Sequence, residues 1–141
     1  MLKDGLALTG ALTIAVNDVV VQETNNLVVT TGKEWVADRM NNANTVMTHM
    51  ALGTGTTGST DATKTTLVTE IDRNALTSTT VSGNTIAYAC TWAAGDGTGA
   101  ITEAGIFDAA TDGDMLARTV FSVVNKGTAD SITITWTITI S

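Results

Sequence analysis

Residues 130–141 read Asp-Ser-Ile-Thr-Ile-Thr-Trp-Thr-Ile-Thr-Ile-Ser, and hydroxyl and apolar side chains alternate without interruption from Ser131 to Ser141. Successive side chains of a β-strand point to opposite faces, so one face would carry the isoleucines and Trp136 and the other only threonines. One apolar face and one polar face are typical of a strand in an antiparallel sheet with one side on a core. The segment therefore predicts a half-buried strand from Ile132 to Ile140.

Further segments of β composition precede this strand, and Gly, Asn and Asp residues separate them. These predicted strands comprise residues 6–16, 19–23, 26–30, 47–52, 73–81, 85–92, 100–109 and 115–124. Tight turns at Asn17-Asp18, Ser82-Gly83-Asn84 and Asp112-Gly113 predict three hairpins. The sequence Asn125-Lys126-Gly127-Thr128 predicts another hairpin, between 115–124 and the strand at 132–140.

Only one helix has a clear start signal. Residues 31–34, Thr-Gly-Lys-Glu, fit a capping box, in which the Thr31 hydroxyl accepts the Glu34 N–H and the Glu34 carboxylate accepts the Thr31 N–H. The helix would run from about residue 32 to 42 and end in the poor helix formers of 41–44. Its buried face is predicted to hold Trp35, Val36, the stem of Arg39 and Met40.

These elements predict an all-β protein, a two-sheet antiparallel β-sandwich of jelly-roll type with about eight strands and the one short helix. A length of 141 residues suits a single domain, 1–141, with residues 1–8 as a candidate N-terminal arm. Only 15% of the residues are charged, against about 25% in ordinary domains, so Thr, Ser, Asn and Gly must cover much of the surface.

Charge and cysteine content narrow the range of partners. The formal net charge is −7, whereas nucleic-acid binding requires clustered Lys and Arg, so no nucleic acid is expected. The first apolar stretch is interrupted by polar residues, which argues against a signal peptide and a membrane span. Cys90 is the single cysteine, it cannot form an internal disulfide, and its alternation within 85–92 predicts a small core residue.

The sequence Gly53-Thr-Gly-Thr-Thr-Gly58 matches the G-x-G-x-x-G fingerprint of dinucleotide-binding proteins. That function also requires a helix that begins inside the motif and points its N–H groups at the pyrophosphate. Here the motif continues into 59–63, Ser-Thr-Asp-Ala-Thr, which are poor helix formers. We therefore expect a flexible loop over 53–66 and no cofactor.

Other chemically suggestive residues have simpler explanations. Asp108, Asp112 and Asp114 lack the spacing of a calcium loop and are predicted to be turn acids. His49 is the only histidine and has no evident nucleophile to serve, so a structural role is expected. Glu70 and Asp72 are two residues apart with Arg73 adjacent, which favours a surface ion pair over acid–base chemistry. No catalytic, cofactor or metal residue is predicted, and we expect the protein not to be an enzyme.

Glu103 and Arg118 each lie within an otherwise apolar predicted strand. A charged side chain there either points to solvent or, if buried, needs a partner. The two residues are a candidate structural ion pair across neighbouring strands.

Most of the chain resembles small virion structural proteins of tailed bacteriophages. The segments that carry the resemblance are 26–30 with Gly32-Lys33, 50–55, Leu67 with Glu70 and Arg73, 97–107, 115–121, and Asp130-Ser131 leading to Thr135-Trp136. The resemblance implies a capsid cement (decoration) protein that binds the lattice of the major capsid protein on the virion surface, after synthesis in the bacterial cytoplasm. It leaves open a tail, collar or fibre-attachment module, and self-association as a dimer or trimer.

Cement is preferred because the sequence has no coiled coil, triple-helical repeat or shaft. A carbohydrate-binding host-adhesion sandwich is a second alternative, which would require an exposed aromatic residue such as Trp92 or Trp136. The candidate partner contacts lie in the N-terminal arm and in two glycine-rich loops. They are Met1, Leu2, Lys3, Asp4, Gly53, Thr54, Gly55, Gly58, Gly95, Asp96 and Gly97.

Overall fold

The computed structural model of the chain describes residues 5–41 and 45–141, which form two antiparallel five-stranded sheets and one helix. The elements are β1 (Leu8–Val16), β2 (Val19–Asn25), β3 (Leu27–Val28), α1 (Thr30–Met40), β4 (His49–Gly53), β5 (Glu70–Ala75), β6 (Ser78–Ser82), β7 (Thr85–Trp92), β8 (Gly99–Phe107), β9 (Met115–Lys126) and β10 (Ile132–Ile140). The first sheet has the order β2-β1-β10-β7-β6 and the second the order β3-β9-β8-β4-β5. The predicted all-β sandwich is confirmed.

The described residues contain ten strands rather than about eight, partly because the predicted strand at 73–81 was wrong. It is two strands in different sheets, β5 and β6. The chain changes sheets between two consecutive residues: the Leu76 N–H donates to the Thr48 carbonyl beside the second sheet, and the Thr77 N–H donates to the Ala89 carbonyl of the first. A run of β-forming residues does not reveal such a change of partner.

The predicted hairpin between β9 and β10 was also wrong, because the two strands lie in opposite sheets. β9 pairs with β8 through the Asp112-Gly113 turn, and β10 lies between β1 and β7. Facing each other across the core lets both strands bury their apolar sides in the same interior. Asp130 and Asn17 join the connection to the β1–β2 turn through a 2.9 Å hydrogen bond.

The three hairpins predicted at tight turns are present, and their backbone explains why. Asn17 and Asp18 have φ of 49° and 66°, Asp112 and Gly113 have 53° and 73°, and Gly83 has 58°. Positive φ at both Asn17 and Asp18 gives the type I′ geometry that matches the twist of paired strands, whereas positive φ at Gly83 alone fits a type II′ turn. The third hairpin has a longer connection, residues 108–114, in which Asp112 and Gly113 make the positive-φ bend.

The core lies between the sheets, and the β10 alternation predicts its inner face correctly. Ile132, Ile134, Trp136 and Ile138 are buried, as are Tyr88, Cys90 and Trp92 on the neighbouring β7. A smaller apolar cluster lies on the opposite side of the second sheet, where Leu67 of the 54–69 segment packs with Phe107 and Met115. The second sheet is therefore covered on both faces.

The helix begins at Thr30 rather than at residue 32, and the predicted capping box was wrong. No side chain caps the first turn. Instead, the Thr30 N–H donates to the Ala62 carbonyl at 2.8 Å, so the 54–69 segment satisfies this amide. The predicted burial of Met40 was wrong too, since Met40 is 82% exposed. This helix is too short to cross a membrane, and the described residues include no other helix that could.

Candidate functional site

The charged centre of the molecule is the pair predicted between Glu103 of β8 and Arg118 of β9. Arg118 Nη2 lies 3.3 Å from Glu103 Oε1, and both side chains are fully buried. The pair lies on the outward side of the second sheet, beneath the 54–69 segment. A buried ion pair requires further hydrogen bonds, because leaving lone pairs or N–H groups unsatisfied costs several kcal/mol.

The carboxylate of Glu103 obtains those hydrogen bonds from the backbone of the covering segment. Oε2 accepts the N–H of Gly55 at 2.6 Å and that of Thr69 at 2.8 Å, while Oε1 accepts the N–H of Val68 at 2.8 Å. The Thr102 hydroxyl adds a bond to the Gly55 carbonyl at 2.8 Å. One carboxylate thus holds both ends of the segment, near residues 55 and 69.

Arg118 holds the middle of the same segment. Its Nη1 donates to the Gly58 carbonyl and its Nη2 to the Thr57 carbonyl at 3.2 Å. Further along, the Asp61 carboxylate accepts the N–H and hydroxyl of Thr63, and these bonds lower the pKa of Asp61. The segment from 54 to 69 is therefore an ordered cover rather than the flexible loop that we expected.

This geometry explains the apparent nucleotide motif. In a phosphate-binding loop the backbone N–H groups point at the ligand, but here the Gly55 N–H binds the protein's own carboxylate. A Cβ on Gly55 would lie 2.2 Å from Glu103 Oε2, so the glycine permits the close approach of Glu103. The motif is a packing feature of the ion pair.

The candidate contact residues of this motif are therefore placed differently from our expectation. Gly53 is the last residue of β4 and is buried, as is Gly55, so neither can contact a partner; Thr54 and Gly58 are half-buried. The reason is that the buried Glu103 and Arg118 hydrogen-bond to the backbone of the segment and hold it against the sheet. Composition alone does not show these bonds.

The second candidate loop is partly accessible. Gly95 and Asp96 are exposed, whereas Gly97 is half-buried close to Leu52 and Trp92. The ammonium group of the buried Lys126 donates to the Ala93 carbonyl at 2.9 Å and holds the base of the loop. The candidate contacts Met1, Leu2, Lys3 and Asp4 lie outside the described residues.

The remaining acids are used in local structure. Asp108 Oδ1 accepts the Asp114 N–H at 2.7 Å across the β8–β9 turn. Arg73 makes a two-pronged salt bridge to Glu70 and lies over the Phe107 ring at 3.7 Å, which confirms the ion pair expected there. Within the part of the chain that the structure describes, no three His, Cys, Asp or Glu side chains are grouped to hold a metal ion.

Comparison of the chain with known families, curated proteins and solved structures found no match.

A strongly apolar opening on the described surface lies between α1 and the first sheet, and the sequence patterns did not indicate it. Its volume is about 380 Å³. This opening, the apolar mouth, is lined chiefly by Leu8, Val36, Met40, Val81 and Ile140. Val81 and Met40 are 70% and 82% exposed, and the exposed Leu6 lies in an adjoining groove that shares Val36 and Met40. The only sequence signal is that Val81 is the single apolar residue of β6.

Aromatic residues offer no comparable platform. Trp92 and Trp136 are fully buried, and Tyr88, Phe107 and Phe121 are buried as well. Trp35 is half-buried at the mouth and donates its indole N–H to the Thr45 carbonyl at 2.8 Å. The exposed Trp92 or Trp136 that a sugar-binding sandwich would require is not found.

Cys90 is expected to be unreactive in the folded protein. Burial, helped by the charge of Asp72, raises the pKa of its thiol to about 12, and the Sγ lies 3.5 Å from the Ala75 carbonyl. A disulfide reagent at pH 8 should therefore label the native chain at least a hundredfold more slowly than the unfolded chain. Equal labelling rates in buffer and in denaturant would contradict this prediction.

The raised pKa of the Cys90 thiol also means that the stability of the fold should fall as the pH rises above about 9, where the thiol of the unfolded chain ionises.

Proposed function

We propose that this chain is a non-enzymatic structural protein of a tailed-phage virion. In this proposal it is a cement protein that attaches to the lattice of the major capsid protein on the head surface. The observation that carries the proposal is the apolar mouth, because contiguous exposed apolar surface marks sites of protein contact. The resemblance to small virion proteins is the reason for proposing a tailed-phage virion as the particle.

The positions and hydrogen bonds of the charged side chains support a contact role rather than catalysis. Glu103, Arg118 and Lys126 are buried and hydrogen-bonded to backbone, and Arg73 is bound to Glu70 and to two carbonyl groups. These groups hold segments together instead of facing a cavity. The apolar mouth, in contrast, offers aliphatic side chains and little hydrogen bonding, which suits an aliphatic part of a partner protein.

Val81→Asp should weaken attachment to phage heads at least tenfold. Burying a whole valine side chain contributes about 1.5–3 kcal/mol, and about 1.4 kcal/mol corresponds to a tenfold change in affinity. The measurement is co-sedimentation of the purified chain with heads and with tails isolated from the parent phage. Val123→Asp is the matched control, because Val123 is also exposed, at 53%, but lies away from the mouth.

Binding to tails alone would overturn the cement proposal in favour of a tail or collar module. Unchanged head binding by the Val81 variant would show that the mouth is not the contact. Cryo-electron microscopy of the particle provides the independent location.

A further inference from the structure

The outer faces of the two sheets differ in what covers them. The second sheet lies under the 54–69 segment, and outward residues such as Glu103 and Phe107 are buried there. In the described residues no comparable layer lies over the first sheet, whose outward Thr91 and Thr135 are exposed. The first sheet therefore presents an open five-stranded face.

This open face carries almost no charge. Strands β1, β6, β7 and β10 contain no Asp, Glu, Lys, Arg or His, and the only charged residue of the first sheet is Glu23 in the edge strand β2. All outward residues of the four uncharged strands are Thr, Ala or Ser. The register aligns Thr13, Thr135, Ala89 and Ser78 in one row across the sheet, and Glu23 of β2 lies opposite Thr13 at the edge of that row. The four uncharged strands therefore present only short side chains, and the charge is confined to one edge of the face.

The face is large enough for a stable protein contact. Neighbouring strands lie about 4.8 Å apart and each residue adds about 3.3 Å, so strands of 7, 9, 9, 8 and 5 residues cover roughly 600 Å². A standard protein–protein interface buries about 600–1,000 Å² on each partner.

The self-complementary hydrogen bonding of the face favours a second copy of this chain as the occupant, and electrostatics favour this face over the rest of the surface for that contact. Each copy has a formal charge of −7, so two copies repel wherever their carboxylates meet. Contact through the uncharged face keeps those carboxylates at the periphery, and interface cores are generally depleted of charge. Threonine hydroxyls both donate and accept, as the 3.0 Å contact between Thr91 and Thr133 illustrates, so two such faces can satisfy each other's hydrogen bonds.

We infer that two copies of this chain associate face to face through the outer surface of the first sheet. The same residues of each copy form the contact, as in a two-fold symmetric dimer. The sheets stack about 10 Å apart, with threonine methyl and hydroxyl groups between them. The apolar mouth opens on the inner side of the first sheet, so dimerisation leaves it free.

The test is sedimentation equilibrium of the isolated protein at micromolar to millimolar concentrations. The wild-type chain is expected to reach a mass twice its 14.5 kDa. Thr135→Glu, which adds a carboxylate at the centre of the face in both copies, should weaken association at least tenfold. Ser78→Glu, at the end of the same row, should act in the same direction. Thr111→Glu adds the same charge in the exposed β8–β9 turn and should leave the mass unchanged.

Circular dichroism and thermal melting establish that each variant is folded. A wild-type mass of one copy throughout, or of three copies, would overturn the dimer. A dimer that Thr135→Glu and Ser78→Glu leave equally tight would place the contact elsewhere, for example at the open edge of β2. Because the mass is measured without phage particles, the result does not depend on the proposed attachment to heads.

Discussion

Glu103→Ala is expected to lower the free energy of unfolding by about 3–5 kcal/mol, the usual cost of removing one partner from a buried ion pair. The variant leaves the Arg118 guanidinium buried without its counter-charge. It also removes the acceptor for the N–H groups of Gly55, Val68 and Thr69, so the 54–69 segment should open. For a domain of this size, the melting temperature should fall by roughly 10 °C or more.

Glu70→Ala is the matched control, since it removes the same side chain from the pair with Arg73, in which Glu70 is 32% exposed and Arg73 keeps its hydrogen bonds to two carbonyl groups. The loss there should be about 1 kcal/mol, well below that expected for Glu103→Ala. Hydrogen exchange should further show that Glu103→Ala exposes the amides of residues 55, 68 and 69, while those of β10 stay protected. A loss below 1 kcal/mol for Glu103→Ala would mean that the pair does not hold the segment.

Gly32→Ala is expected to destabilise the protein by about 1–3 kcal/mol, the usual cost of overpacking, although alanine is the better helix former by about 1 kcal/mol. Gly32 is the buried residue of α1, and a Cβ there would lie 2.0 Å from the Leu116 carbonyl oxygen of β9. That oxygen is backbone and also accepts the Val29 N–H, so it cannot move aside easily. The helix would have to shift away from the second sheet.

Lys33→Ala provides the control, because Lys33 occupies the next position of the same helix and is exposed. Its effect on urea unfolding should be within about 0.5 kcal/mol, as for most surface substitutions. If Gly32→Ala were neutral or stabilising, helix propensity would outweigh the contact with Leu116, and α1 would not be packed as closely as described.

Prediction succeeded where a short segment contains its own signal. The alternation of 132–140 gave the strand and its inner face, and Asn17-Asp18 gave a hairpin because both residues adopt positive φ. The Glu103–Arg118 pair could be predicted for a similar reason, since a buried charge inside an apolar strand needs a partner. In each case the deciding interaction lies within a few residues or follows from burial alone.

Prediction failed where distant backbone atoms decided the structure. The capping box at Thr31 was overruled by the Ala62 carbonyl, which accepts the Thr30 N–H. The glycine motif at 53–58 was predicted to be flexible, but the carboxylate of Glu103, far along the chain, accepts the N–H of Gly55 and fixes it. The apolar mouth could not be predicted, because the opening at Val81 depends on where α1 lies relative to β6.

The sequence by itself determined most of the strands, the three hairpins and the two candidates for an ion pair, since side-chain alternation and positive-φ turns are local properties. Only the tertiary structure decided which sheet β6, β9 and β10 join, that Glu103 closes the 54–69 segment, and that the threonine face of β10 lies open. The physical reason is that sheet partners and burial depend on satisfying the apolar faces and buried charges of the whole chain at once.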